Sequence, residues 1–380
     1  MLEFLPDWTD LQLDIVGFLA ILGEGSVLSN AQVATLSWLI FLPRLLPAPQ
    51  ALLRPSRPER LESTLGWATS VYAGNHRDYI THIGDVLIDG DAMPNFSVRC
   101  VEIEWVDRER EVKAKRKSVL ALLAVTGCAM AIALLVLSAV LNDGMALVAT
   151  VTLSFLSTIV GLGNKWKLRL PQASKGTDLP KGDLVIRYPK GNFVIVKCKE
   201  DVARSLFFAP ENIDYLVEDP AIYRLISLIG TMLLMVGVVC LANAQLKMQI
   251  AFAAAYMLLN AAYWIVAALP VRKLWDTDCF LIKPHAFAGS NDTKKSARKA
   301  RNFTEALWLA ILATKTVNWV RQSQAAPDTP SWRGWLSEAE QRARDAPTTL
   351  DGKTPVYENS DWDPHKTLQE YLKDGAVESA

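Results

Sequence analysis

The chain has 380 residues, 40 Lys+Arg against 40 Asp+Glu, and 51% hydrophobic residues. Zero net charge excludes a generally basic nucleic-acid binder, so no nucleic acid is expected as a partner. Five scattered cysteines exclude a disulfide scaffold.

Length alone suggests two or three soluble domains. Four uncharged stretches of roughly 19–24 residues override that prior, because each is long enough to cross a bilayer core about 30 Å thick. The expected fold class is therefore mainly α: a polytopic α-helical membrane protein with two transmembrane helical hairpins and small α+β cytosolic segments.

Residues 1–50 begin with Glu3 and Asp7 rather than a basic region, so no signal peptide is expected. Their two apolar runs, 11–22 and 31–42, are short for a span and read as interfacial, re-entrant or packed against other helices. A fifth span near 31–48 is the alternative.

Residues 52–117 form a first polar segment. Val86–Ile88 and Ser97–Trp105 are β-branched or alternating, with Asp89-Gly90-Asp91 as a turn signal, and so predict a β-hairpin. Residues 118–163 form the first transmembrane hairpin, turning at Asn142-Asp143-Gly144. Residues 164–220 hold a second β-hairpin, with Asp183–Arg187 and Asn192–Lys197 joined across Tyr188-Pro189-Lys190-Gly191. Residues 225–269 form the second transmembrane hairpin, closed by Pro270. Residues 271–335 contain a helix from Thr304 to about Ser323, followed by a Trp-rich stretch. Residues 336–380 carry ten acidic and five basic residues and read as an acidic, partly disordered tail.

Orientation follows from the basic residues flanking the spans. Arg108, Arg110, Lys113, Lys115, Arg116 and Lys117 precede the first, and Lys165, Lys167 and Arg169 follow the second. Arg224 precedes the third, Arg272 and Lys273 follow the fourth, and the two short turns hold only Lys247. The positive-inside rule places both turns outside and the bulk of the polar regions in the cytosol. The sequons at Asn95, Asn291 and Asn302 then go unused.

Gly84-Asp85-Val86-Leu87-Ile88 and Cys100 have counterparts in Gly182-Asp183-Leu184-Val185-Ile186 and Cys198, offset by 98 residues. A parallel duplication of β-hairpin plus helical hairpin is one explanation; chance similarity of two short β-hairpins is the other.

The spans contain no Asp, Glu, Lys, Arg or His, which argues against ion coupling and leaves a neutral solute as the cargo of any carrier. Asn260 is the best candidate for an interhelical polar contact, and Gly127 with Ala131 offers a close helix approach.

His76, Asp78, His82 and Asp85 form the densest titratable group, and His/Asp pairs are natural acid–base groups. Their spacing fits no zinc or calcium pattern, and surface or turn roles explain them equally. Asn75-His76-Arg77-Asp78 superficially resembles a kinase catalytic loop, but the other kinase signatures are missing. No metal or cofactor motif is read. The wide apolar face made by Phe303, Leu307, Trp308, Ile311 and Trp319 must be covered, by other polar segments, by the membrane surface or by a partner.

Phe208-Ala209-Pro210-Glu211-Asn212-Ile213-Asp214-Tyr215-Leu216-Val217 and Ala262-Tyr263-Trp264-Ile265-Val266-Ala267-Ala268-Leu269-Pro270 resemble a group of uncharacterised fungal multi-pass membrane proteins. Trp275-Asp276, Thr304-Glu305-Ala306-Leu307-Trp308 and Trp319-Val320-Arg321 extend the resemblance over most of residues 1–340. It implies a multi-pass architecture and a fungal origin, and it carries no activity, cofactor or catalytic residue. The expected function is non-enzymatic, an organising or accessory protein with lipids around its spans and a protein partner on its cytosolic regions. The alternatives are an enzyme acting on a lipid-like substrate at the cytosolic face and a carrier of a neutral solute.

Overall fold

The computed structural model describes residues 24–107, 112–170, 179–288, 297–351, 354–358 and 362–377. The apolar run 11–22, the flanking Arg108 and Arg110, and the sequon at Asn291 lie outside the described residues. The chain divides into a helical unit (Met1–Glu59, Val112–Leu168, Ile213–Asp276) and a sheet unit (Arg60–Glu111, Arg169–Asn212, Thr277–Ala380).

Four helices of the first unit are long and apolar enough to cross a membrane: Val119–Val140, Gly144–Asn164, Pro220–Ala242 and Leu246–Ala267. Their ends follow from local chemistry. Ser118 accepts from the Ala121 N–H and Asp143 from the Ala146 N–H, so side-chain oxygens satisfy otherwise orphaned donors. Asp219 accepts from the Ala221 N–H at 2.7 Å, and Pro220 occupies the first helical position. That start signal extends the third helix ahead of Leu225, where its uncharged run begins. The second carboxylate oxygen of Asp143 accepts from the Gln245 N–H at 2.7 Å, so one side chain joins the turns of both hairpins.

Leu134, Leu153, Met248, Phe252, Tyr256 and Leu259 fill the core of this unit, while Leu122, Phe155, Leu228, Met235 and Ile265 face outward. A further helix, Glu24–Leu36, packs on Leu246–Ala267. Here Asn260 makes its interhelical contact, accepting from the Ser26 hydroxyl at 3.2 Å.

The sheet unit contains nine strands: β1 (Thr64–Ser70), β2 (His76–Ile80), β3 (Ser97–Trp105), β4 (Leu184–Arg187), β5 (Phe193–Lys197), β6 (Phe280–Phe287), β7 (Ala297–Lys299), β8 (Thr348–Asp351) and β9 (Thr354–Tyr357). Their order is β8-β9-β6-β3-β5-β4-β1-β2, with β7 paired to the start of β3. β3 runs parallel to β5, and β6 parallel to β9; the other pairs are antiparallel. About 53% of the described residues are helical, and the polar segments build one large mixed sheet in addition to two small two-stranded ones.

The hairpin across Tyr188–Gly191 forms as expected, as β4 and β5. Val86–Ile88 is not a strand. It lies in the helix His82–Ile88, and the hairpin of that segment is β1–β2 instead. A short apolar run fits a buried helix as well as a buried strand. Because Gly84–Ile88 is helical and Leu184–Ile186 is a strand, the two proposed repeats do not share a structure.

The helix expected to run to Ser323 breaks at Lys315, which adopts φ 61° and donates its N–H to the Ile311 carbonyl. A separate turn, Asn318–Gln322, follows. The expected tail boundary at residue 336 falls inside the helix Pro330–Asp345, and β8, β9 and the helix Pro364–Val377 continue the fold. Leu336, Ala339, Ala343, Tyr357 and Leu368 are core residues of the sheet unit.

Candidate functional site

The group His76, Asp78, His82 and Asp85 does not converge on one site. His76 lies on β2, with Nδ1 2.9 Å from the Thr69 hydroxyl. Asp78 is exposed. His82 starts its helix with Nδ1 3.2 Å from the Glu62 carbonyl, and burial lowers its pKa against the opposing pull of that contact and of Asp85. Asp85 accepts from the Tyr188 hydroxyl at 2.6 Å and the Thr64 hydroxyl at 3.0 Å, which makes it a structural junction. Among the described residues no group of three His, Cys, Asp or Glu is placed to hold a metal ion.

His76 does line a cleft of about 530 Å³, with Asn75, Arg77, Arg204, Phe208 and Ala209. Its far wall is a π-helical turn, Arg204–Phe208. The turn's carbonyls are occupied: Phe208 O accepts from Arg77 at 2.5 Å and Leu206 O from the Thr81 hydroxyl. Arg204 is paired with Glu200 at 2.8 Å. The cationic groups of this cleft are thus largely committed to the fold.

Glu211 is 5% exposed and accepts from the His82 N–H at 3.1 Å and the Ile83 N–H at 2.8 Å. Burial raises its pKa to about 7 against those two hydrogen bonds. Its position within the 208–217 run marked a resemblance but gave no sign of this burial.

A second buried polar group joins β3, β6 and β9. The Tyr357 hydroxyl lies 3.2 Å from His285 Nδ1 and 3.8 Å from Cys100 Sγ, and His285 Nε2 lies 3.7 Å from Glu102. Burial pushes the Cys100 thiol up to about 12, so it is no nucleophile at neutral pH. Nearby, Lys197 and Asp183 pair at 2.9 Å; burial is the largest influence on the lysine and opposes its charge, but Asp183, Cys100 and Tyr72 together outweigh it and raise its pKa. The residues come from distant segments, so no spacing in the sequence announced them.

Of the three coverings open to the apolar face, the first is found: other polar segments of the chain bury it, not a partner or the membrane surface. Leu307, Trp308, Ile311 and Trp319 are buried, and Phe303 is half-buried against Phe193. Trp308 packs edge-on against Trp362 at 4.7 Å, and Trp319 donates its indole N–H to the Thr316 carbonyl. The covering comes from the sheet and from the region expected to be a solvated tail.

In the helical unit the run 31–42 is packed against other helices, one of the readings open to it, and the chain beyond it forms an arrangement no motif announced. Between Leu36 and Arg57 the described chain makes only two 3₁₀ turns, Trp38–Phe41 and Pro49–Leu52, and otherwise runs irregularly among the helices. Glycines make room for it. A Cβ on Gly161 would stand 2.6 Å from Ile40 O, one on Gly127 2.9 Å from Leu45 O, and one on Gly230 2.6 Å from Leu53 Cδ2.

Hydroxyl and amide side chains satisfy its backbone. Thr158 donates to Phe41 O at 3.1 Å, Ser157 to Leu42 O at 3.1 Å, Asn164 to Leu52 O at 3.0 Å and Tyr223 to Arg54 O at 2.7 Å. Two hydroxyls of the helix Gly144–Asn164, Ser157 and Thr158, thus serve this segment, while Thr150 and Thr152 bond their own helix. The small-residue reading of Gly127 is corrected too: its neighbour is this segment rather than another helix. Arg57 fastens the far end, its guanidinium between the rings of Tyr215 and Tyr223 and donating to Gly163 O and Val217 O.

Arg44 sits within the threaded segment, 4% exposed. The unit therefore contains a buried charge although its four long helices bring none.

Comparison with protein-family models, with curated proteins and with solved structures gives no match.

Proposed function

We propose that the chain is an integral, multi-pass membrane protein with its polar regions in the cytosol, and that the helical unit does its functional work as a ligand-binding carrier. The observation that supports this is the threaded segment. Irregular backbone at bilayer depth is tolerated only where protein buries it or where it lines a path, and interrupted chain of this kind builds the binding sites of many carriers. The organising role expected from the sequence loses its named surface, because Trp308 and Trp319 are core.

Reconstituted vesicles test the carrier reading. Vesicles with the protein take up some member of a broad solute panel faster than empty ones, and vesicles with Gly161→Leu, whose side chain collides with Ile40, do not. Equal uptake in all three sinks it. Orientation is tested separately: Asn95 is exposed and stays unglycosylated if its segment is cytosolic.

A further inference from the structure

We propose that Arg44 is the heart of an anion site in the helical unit, and that its ligand is a phosphate group. The inference rests on the reading that this unit lies in the bilayer. Arg44 is 4% exposed, and no described carboxylate pairs with it. Its contacts are neutral: Nη1 donates to Leu39 O at 2.6 Å, and the side chain hydrogen-bonds the Tyr263 hydroxyl. Among the described residues its buried Nε–H has no partner.

A second donor lies on the helix that the Arg44 backbone touches. Ser154 Oγ is also buried without a partner, and Ser154 is joined to Arg44 by the Arg44 N–H···O contact of 3.3 Å. Two unused donors, one on a cation, fit an oxyanion with two acceptor oxygens; a guanidinium favours the planar, two-point contact that phosphate offers.

The depth fits too. Gly127, whose missing side chain leaves space for the Arg44 stem, lies nine residues from Ser118, or about 14 Å along the helix. Ser154 lies ten residues from Asn164, or about 15 Å. Both depths are near the middle of a bilayer about 30 Å thick, where an uncompensated charge is most costly, so a lipid phosphate reaches this site only when drawn inward from the interface.

The phosphate belongs either to an anionic lipid headgroup or to a free phosphate. Full-length protein in nanodiscs of phosphatidylcholine with a minor share of phosphatidic acid, followed by native mass spectrometry, separates them. Wild type and Arg44→Lys retain one phosphatidic acid, and Arg44→Gln binds it about tenfold more weakly or worse. Displacement of the lipid by inorganic phosphate, or Arg44-dependent binding of phosphate without lipid, assigns the free anion. Equal retention by monodisperse wild type and Arg44→Gln overturns the proposal.

If Arg44→Gln does not fold, wild type alone decides, because phosphatidic acid or phosphate must raise its melting temperature above the value in pure phosphatidylcholine. No shift with either overturns the proposal. Glycosylation of Asn95 would instead overturn the topology while leaving the binding result standing.

Discussion

The two units treat a buried cation in opposite ways. In the sheet unit, Lys197 is buried against Asp183, the buried carboxylate of Glu305 has the exposed Arg301, and Glu211 has two backbone N–H groups, as Asp143 has in the helical unit. In the helical unit, Arg44 has two neutral oxygens and no carboxylate among the described residues. The sheet unit spends its polar contacts on closing a core. The helical unit spends hydroxyls on holding an irregular segment and leaves a cation available.

The largest expected effect tests the closed core. Trp308→Asp destroys the sheet unit, since emptying a buried Trp site costs about 3–5 kcal/mol and the new charge adds to it, against a total stability of about 5–15 kcal/mol. The sheet unit becomes protease-sensitive while the four apolar helices keep their far-UV signal. Retained protection would mean that Trp308 is not core.

Breaking a designated pair comes next. Lys197→Met strands Asp183 and costs about 3 kcal/mol, and adding Asp183→Leu restores a large part of it. Melting temperatures of the single and double variants measure the coupling; additive losses would show that the pair is not a unit.

Glu211 gives a pH signature of similar size. Its folded-state pKa of about 7 lies above the ordinary 4.5, so the folded state binds its proton more tightly than the unfolded chain does. Its contribution is therefore most favourable below about pH 4.5, declines as pH rises, and is a full penalty above about pH 7. Glu211→Gln removes that decline and stabilises the protein at pH 8 by about 2–3 kcal/mol. Parallel stability–pH curves for the two proteins would contradict the burial argument.

Smaller effects probe the helical unit. Gly161→Ala places a Cβ against the Ile40 carbonyl and costs about 1–3 kcal/mol, while Gly144→Ala meets open space and is tolerated. Equal melting temperatures would argue that the threaded segment gives way easily. Asn260→Ala loses one interhelical hydrogen bond and about 0.6 kcal/mol, the smallest change of the set.

What was legible in the sequence were features with local causes. The apolar helices, the β4–β5 hairpin with its Pro-Lys-Gly turn, and the partner-seeking Asn260 all follow from neighbouring residues and side-chain type. The sheet order was not legible, because alternation marks a strand without naming its neighbours; β3 finds β5 and β6 across long separations. The acidic tail read as solvated because its charge count hides Leu336, Ala339, Ala343 and Leu368, which share the buried side of two helices. Arg44 follows the apolar run 31–42, and nothing in its neighbours marks an interior place. Its interior position depends on gaps at Gly127, Gly161 and Gly230, on three different helices.

The threaded segment also has a timetable. Arg44 finds its last neighbour in Tyr263, 219 residues further along the chain. At a synthesis rate of about 5–20 residues per second, that is a delay of roughly 11–44 s. Within that interval the side chains that satisfy the backbone of residues 37–54 arrive one after another, Ser157 first and Tyr223 last. Translation speed thus becomes part of how this protein reaches its final form.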